Sequence, residues 1–371
     1  MKEYDVIIIG GGIAGSIASK IMARSGLNTL LLEKDKIPRN KVCSGVQLKY
    51  MEKLIGEKIP RSKLCKNELR KVNIITPKGR KISGNIGLLN YWRNIFDYWL
   101  NQIALENGVE IMDNFIVNDI IKNNDRYIIK NKASEIKAKY ILGADGLSPN
   151  SISRKILYPE NFSDKITGAA INYFFEGTST VEKNSLYIFY RKEFSNLMYS
   201  WVYYKDNKLI IGTSGKDNIE FFSQNFFQEI EKKFDLKGSI IRREGYVTHC
   251  NGGICLGKDR ILLAGDAAGL LDLYRGVGMD IAAISGNLAG KSIVKAYKKG
   301  NSALRNYQDL SRKLINQIER NNQKQEFRYS SDKALEDSLS NINILKGGVK
   351  MGFAKIWNKF SSLEDFILLP P

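Results

Sequence analysis

Histidine occurs once in these 371 residues, cysteine four times and proline seven times. The cysteines (Cys43, Cys65, Cys250 and Cys255) form no C-x-x-C pair, so no disulfide framework is expected. His249, Cys250 and Cys255 lie close together, but a zinc site needs four ligands in short paired spacings, so no metal centre is expected. No uninterrupted apolar run approaches the ~18 residues that would span a bilayer. The apolar N-terminal stretch YDVIIIGGGIAG is broken by glycines and has no cleavage-type segment, so it does not read as a signal peptide. The expectation is a soluble, cytoplasmic protein. Acidic residues are also scarce: 39 Asp and Glu stand against 57 Lys and Arg, for a net charge of +18. Such a charge suits anionic partners in general. Basic blocks interleaved with aromatics are lacking, so nucleic acid is not an expected partner.

What is present is concentrated first in YDVIIIGGGIAGSIASKIMARSGLNTLLLEKD, Tyr4 to Asp35. Val6 to Ile9 read as a strand buried on both faces. Gly10-x-Gly12-x-x-Gly15 follows and opens a helix with Ile17, Ile21 and Met22 on its apolar side. A second strand, Thr29 to Leu32, ends at Glu33. Gly10 makes the tight turn, Gly12 lets a pyrophosphate approach the backbone, and Gly15 permits close helix–strand packing. The helix N-terminus stabilises phosphate charge, and Glu33 accepts hydrogen bonds from an adenosine ribose. Between two strands and followed by an acid at this distance, the motif is a dinucleotide fingerprint. It does not by itself separate NAD from FAD.

Further segments carry a resemblance. GADGLSPNSISR (Gly143 to Arg154) resembles the second flavin-fold signature of the p-hydroxybenzoate hydroxylase-like flavoproteins, and RILLAGDAAGLLDLYRGVGMDIAAISG (Arg260 to Gly286) resembles their third. The resemblance implies FAD, an α/β fold with a Rossmann-like FAD-binding domain, an antiparallel substrate sheet and a helical C-terminus. It implies that Gly265 and Asp266 hold the ribityl chain. Gly276, Gly278 and Met279 would face the pyrimidine end of the flavin, where a helix N-terminus stabilises negative charge. Asp145 belongs to the second signature. RNIFDYWLNQIALENGVEI resembles the family's next helix, with Arg93 near the flavin or pyrophosphate, and the FIVNDI strand would bring the Val117 backbone to the adenine. Ala14 and Lys34, beside the first turn and Glu33, complete the cofactor set.

PRNKVCSGVQ resembles the Lys-x-Cys-Gly segment of the geranylgeranyl reductase family, which implies that Cys43, with Ser44 beside it, contacts the flavin; Arg39 and Lys41 read either as contacts to phosphate or flavin or as a solvated basic loop. The stretch YSWVYYKDNKLIIGTSG reads as a strand of alternating aromatics closing on a Gly-x-x-Gly turn, and it is similar to that family's aromatic motif, carried by Tyr199, Trp201, Tyr203, Gly212 and Gly215. Rings at every second position of a strand share one face, and the resemblance implies that this face walls a substrate pocket. The sequence also departs from the family: Tyr204 and Leu273 replace prolines, Val277 replaces a glutamate, Ser44 replaces a glycine, and Cys255 in NGGICLG stands at a proline position. The chain is therefore expected to be a divergent member.

The implied reaction is reduction of carbon–carbon double bonds in a prenyl or similarly apolar substrate, with Cys43 as the candidate to relay a proton or shape the pocket. Two rival readings use the same scaffold. One is a flavin-dependent monooxygenase or halogenase; the other is an electron-transfer flavoprotein donating to quinone. Only one dinucleotide fingerprint occurs, so electrons would arrive by transient NAD(P)H docking or from an acidic protein such as ferredoxin.

Residues 1–75, 91–160 and 255–300 are expected to form the FAD-binding domain, and 76–90 with 161–254 the substrate sheet. An amphipathic helix, IEFFSQNFFQEIEKKFD, crosses the latter, and 301–371 are helical. The tail mixes Lys346, Lys350, Lys355 and Lys359 with Met351, Phe353, Ile356, Trp357 and Phe360, as a helix docked on its own domain or in peripheral membrane contact.

Overall fold

The computed structural model describes residues 2–147, 151–157, 168–248, 253–276 and 278–340. Its first sheet runs in the order β15 (Gly257–Lys258), β16 (Ile261–Leu263), β9 (Glu135–Gly143), β1 (Glu3–Ile9), β2 (Thr29–Leu32) and β6 (Glu110–Met112). From β16 to β6 the pairings are parallel. Val6, Ile7 and Ile8 are fully buried, because this sheet is covered on both faces. Helices α1 (Ile13–Arg24), α3 (Arg93–Glu106) and α6 (Met279–Lys299) pack one face. The hairpin β7 (Asp119–Asn123) and β8 (Arg126–Lys130) helps to cover the other, around Ile7, Leu30 and Ile129. This is why β1 shows an unbroken apolar run instead of alternation.

Two glycines set how closely α1 and α6 approach. A Cβ on Gly286 would fall 2.4 Å from the Ala14 carbonyl oxygen, and one on Gly290 would fall 3.1 Å from that of Ala18. The crossing brings the start of α6 to the glycine turn that follows β1.

The second sheet has the order β14 (Lys237–Thr248), β10 (Gly168–Thr178), β13 (Lys208–Gly215), β12 (Ser200–Lys205), β11 (Ser185–Phe189), β4 (Leu69–Ile75), β5 (Lys81–Asn90) and β3 (Val46–Leu48). It thus also takes in Val46–Leu48 and Leu69–Ile75, which precede residue 76. It is the expected antiparallel sheet, with one parallel pair where β11 runs beside β4. Its two faces differ in what covers them. Val202, Tyr204, Leu209 and Ile211 pack under α5 (Ile219–Lys233) through Phe226 and Ile230. The alternate residues Tyr203, Ile210 and Phe174 face the opposite way, towards Leu69, Trp92 and Trp201.

Two local expectations are corrected. Gly212-Thr-Ser-Gly215 is not a turn but lies within β13, and the β12–β13 connection is made at Asp206, in the left-handed region with φ 53°. In FIVNDI the strand begins only at Asp119, so Val117 is a buried residue of the preceding connection.

Helix α7 (Ala303–Arg328) and α8 (Asp332–Ser340) follow, with α2 (Met51–Ile55) and α4 (Ile152–Leu157) as short earlier helices. Among the described residues no helix is long and apolar enough to cross a membrane. His249, Cys250, Val277 and the basic stretch from Lys346 to Phe360 lie outside the described residues.

Candidate FAD and substrate site

The glycine turn is built from backbone contacts that leave no room for a side chain. Gly10 has φ +110°, and a Cβ there would lie 2.4 Å from the Ala144 carbonyl oxygen; on Gly15 it would lie 2.0 Å from that of Gly10. Gly12 is different: its Cβ direction is open apart from the Arg39 guanidinium at 3.5 Å. Gly12 also caps α1 without any side-chain hydrogen bond to the helix terminus. Unsatisfied N–H groups beside an open glycine are what a pyrophosphate requires.

Glu33 ends β2 in a buried position. Its carboxylate accepts from Gly11 N–H at 3.0 Å, Asp35 N–H at 3.1 Å and Arg39 Nε at 2.8 Å. Arg39 bridges onwards to Asp97 at 3.3 Å, and Asp97 holds Arg93 through two 2.8 Å bonds. Arg39 and Arg93 are thus fixed cations beside the glycine turn. Asn101, one turn further along α3, donates to the Gly11 carbonyl at 3.1 Å. Phe115 N–H donates to the Glu33 carbonyl at 2.9 Å, so the chain approaching Val117 runs alongside.

At the other end, Gly265 has φ +61° and donates its N–H to Ser285 Oγ at 2.8 Å. Asp266 lies 3.5 Å from where a Gly278 Cβ would be. Burial raises its carboxyl above the usual range, opposed through space by Lys41 and Arg93. Those cations act on it without a hydrogen bond, so its acceptor capacity remains for a ligand hydroxyl. Met279 opens α6, and its Sδ receives the Cys43 thiol at 3.7 Å and the Tyr91 hydroxyl at 3.4 Å.

Other expected cofactor residues take different places. Lys34 is exposed and directed to Asp35 at 3.8 Å. Asp145 binds the Ser153 N–H and hydroxyl at the start of α4, and its Cα borders the Gly10 turn. Ser44 contributes its carbonyl, which accepts from Tyr203 Oη at 2.9 Å. The Cys255 N–H donates to the Ala268 carbonyl at 2.9 Å, a bond that proline at this position would lack.

The aromatic row lies between the two sheets. Trp201 donates Nε1–H to Asn172 Oδ1 at 2.9 Å, and its ring occupies the space opened by Gly212. The Tyr199 hydroxyl reaches the Arg275 and Gly276 carbonyls, both at 3.3 Å. Every polar tip is therefore taken by protein. Tyr203 and Cys43 line a small, partly open cavity that Phe174, Ile210 and Trp92 close on its apolar side. Its lining is not uniformly apolar, because Lys41, Arg93, Lys205 and Arg242 reach it as well.

Lys205 continues the 199-201-203 alternation, a signal the sequence reading passed over. It is 2% exposed and donates to the Tyr91 carbonyl at 2.5 Å. Burial pulls its ammonium down to about 8, from 10.5. Between these two values the unfolded chain binds more protons than the folded one, so stability rises with pH through that window and is level below it. The expected contribution is about 3 kcal/mol. Urea unfolding of the wild type and Lys205→Met checks this: the variant's advantage at pH 7.5 should vanish near pH 10.5, and an equal gap at both would refute it.

A doubly wound sheet with this turn, an acid closing its second strand and a second sheet facing it across a cavity defines a flavoprotein of the p-hydroxybenzoate hydroxylase type. The chain belongs to the FAD binding domain family, whose model matches residues 123–322, and FAD is its cofactor. It is 27% identical to digeranylgeranylglycerophospholipid reductase 2 of Methanococcoides burtonii, over 99% of this chain and 98% of that one. It is 26% identical to digeranylgeranylglycerophospholipid reductase of Methanosarcina acetivorans, over 84% and 81%. A geranylgeranyl bacteriochlorophyll reductase-like protein from Thermoplasma acidophilum shares the fold with a TM-score of 0.79 at 22% identity, over 91% and 90% of the two chains. A flavin-dependent brominase shares it with a TM-score of 0.72 at 17% identity, over 94% and 93%. The protein is a FAD-dependent oxidoreductase, geranylgeranyl reductase-like in kind.

Proposed function

We propose that this protein saturates carbon–carbon double bonds in the prenyl chains of a lipid, of the digeranylgeranylglycerophospholipid kind named for its relatives. The observation that carries the reading is the orientation of Tyr203 and Trp201. Both lie on the face away from the apolar core under α5; Tyr203 lines the cavity beside Cys43, and Trp201 packs behind it and donates to Asn172, which lines the cavity too. With Trp201 tied to Asn172 and Tyr203 to Ser44, the rings offer fixed apolar faces to an isoprenoid chain.

When bound, FAD supplies the reducing equivalents as hydride. Gly12 and the start of α1 would hold its pyrophosphate and Glu33 its ribose. Asp266 would hold the ribityl hydroxyls, with Gly276, Gly278 and Met279 at the ring. Cys43, held against Met279, would border both ring and substrate. The phenolic groups of Tyr199 and Tyr203 are kept protonated by burial, so the aromatic wall stays uncharged. Electrons would come from NAD(P)H docking transiently or from an acidic ferredoxin-type donor, which the net charge of +18 suits.

Anaerobic incubation of chemically reduced, FAD-loaded protein with a digeranylgeranylglycerophospholipid, followed by mass spectrometry, tests the reading. The expected products gain one H₂ per bond reduced. Flavin reoxidation by quinone with no saturated product would favour an electron carrier, and an oxygenated or halogenated product formed only in air would favour the rival chemistry. In the same assay, a ferredoxin donor should slow steeply as salt is added.

A further inference from the structure

The cavity carries more positive charge than its own surroundings neutralise. Arg93 is paired to Asp97 by two hydrogen bonds. Arg242 is paired to Glu244 at 3.3 Å and lies over the Phe174 ring. Lys41 faces Asp266. Neither Lys41 nor Lys205 has a carboxylate within ion-pair distance among the described residues, and Lys205 lacks even a facing acid such as Asp266. The Asp206 carboxylate next in sequence is already taken by Lys66 N–H at 2.7 Å and Trp92 Nε1–H at 2.8 Å.

Around the Lys205 ammonium stand the Tyr91 carbonyl and the Trp92 ring, the latter at 4.6 Å. An ammonium has three donors, and the Tyr91 carbonyl engages one. A long aliphatic side chain would fill the same space without the desolvation cost of a buried cation. The position therefore maintains a costly charge at the end of the aromatic row, in a residue that lines the cavity.

We propose that the cavity has an anion subsite for a phosphoester and that Lys205 is the residue that receives it. The anion completes the charge balance that the protein leaves open, and a compact ammonium suits a phosphate oxygen. The same chemistry would come from a lipid headgroup or from free phosphate. The prenyl part of this inference rests on the proposed function; the anion subsite does not.

The test uses full-length, FAD-loaded protein, with flavin content checked by visible absorbance. Dissociation constants are measured by calorimetry for geranylgeranyl phosphate, geranylgeraniol and inorganic phosphate, on the wild type, Lys205→Met and Lys205→Arg. The wild type should bind the phosphate ester at least about tenfold more tightly than the alcohol. Lys205→Met should erase that gap with the alcohol unaffected, and Lys205→Arg should retain part of it. A melting temperature of Lys205→Met at or above wild type confirms that lost binding is not lost folding. Competition by inorganic phosphate identifies a free-anion source, and ester preference without such competition identifies the lipid headgroup. Equal binding of ester and alcohol by wild type, or an ester preference that survives in Lys205→Met, overturns the assignment. If neither prenyl compound binds, the prenyl reading fails and inorganic phosphate alone judges Lys205: binding lost in Lys205→Met supports the subsite, and no binding to wild type overturns it.

Discussion

Gly15→Ala is expected to leave a protein that retains almost no FAD and melts below the wild type. The new Cβ would stand 2.0 Å from the Gly10 carbonyl oxygen and 3.1 Å from Ile8 Cγ2. The first of these is backbone and has no rotamer by which to escape. Helix α1 cannot simply retreat, because α6 presses on its other side, where Gly286 has no space for even a methyl group against Ala14. Overpacking of this kind costs about 1–3 kcal/mol, and the accompanying shift takes the N-terminus of α1 away from the turn it serves. Gly12→Ala separates the two effects. Its Cβ would meet only the Arg39 guanidinium at 3.5 Å, the flexible end of a side chain, so the protein without cofactor should melt like the wild type. FAD retention should nevertheless fall at least about tenfold, since a pyrophosphate needs that space. Flavin absorbance after gel filtration, with melting curves of the cofactor-free proteins, gives both readings. A Gly15→Ala protein that keeps its flavin would remove the steric basis of the argument.

These glycines were legible in the sequence because each is demanded by local geometry: a strand, a tight turn and a helix start within a dozen residues. The strand Thr29–Leu32 and the acid that closes it follow from the same short-range pattern. Long-range consequences were less visible. That Val46–Leu48 and Leu69–Ile75 join the second sheet depends on pairings with strands distant in the chain, including the parallel pair of β4 with β11. Gly212 and Gly215 suggested a turn because glycine is most often conformational in role, yet Gly212 is there to admit the Trp201 indole. Asp97 was readable as the i+4 partner of Arg93, and Lys205 as the next member of an every-second-residue row. Neither stands out in the sequence, because charged side chains are exposed in most folds. Here the fold buries these charges.

The loop before α6 buries charge as well, and Arg275→Met is expected to destabilise the protein by about 3–5 kcal/mol and to weaken FAD binding. Arg275 spans two buried carboxylates, Asp272 through Nε at 2.6 Å and Asp280 through Nη1 at 3.1 Å. Burial alone would lower its affinity for a proton, and the two acids outweigh that and raise it. Methionine matches its reach but leaves both carboxylates without a cation. Asn321 would still donate to Asp272, and Tyr50 to Asp280, so the acids would keep hydrogen bonds while losing charge balance. Helix α7 meets this loop again where Asn322 bonds Leu273 N–H and the Leu271 carbonyl, and where Arg328 lies over the Tyr274 ring at 3.7 Å. The C-terminal helix thus shapes the loop that presents Gly276 to Tyr199 and sets the start of α6. Loosening Arg275 should therefore be felt at Met279, well beyond the lost ion pairs. Asp272→Asn, which keeps the size and much of the hydrogen bonding, should cost less than Arg275→Met. Urea unfolding and flavin retention measured on both variants decide the point: a loss under about 1 kcal/mol for Arg275→Met, in the range of an exposed pair, would mean that the loop is held by α7 without it.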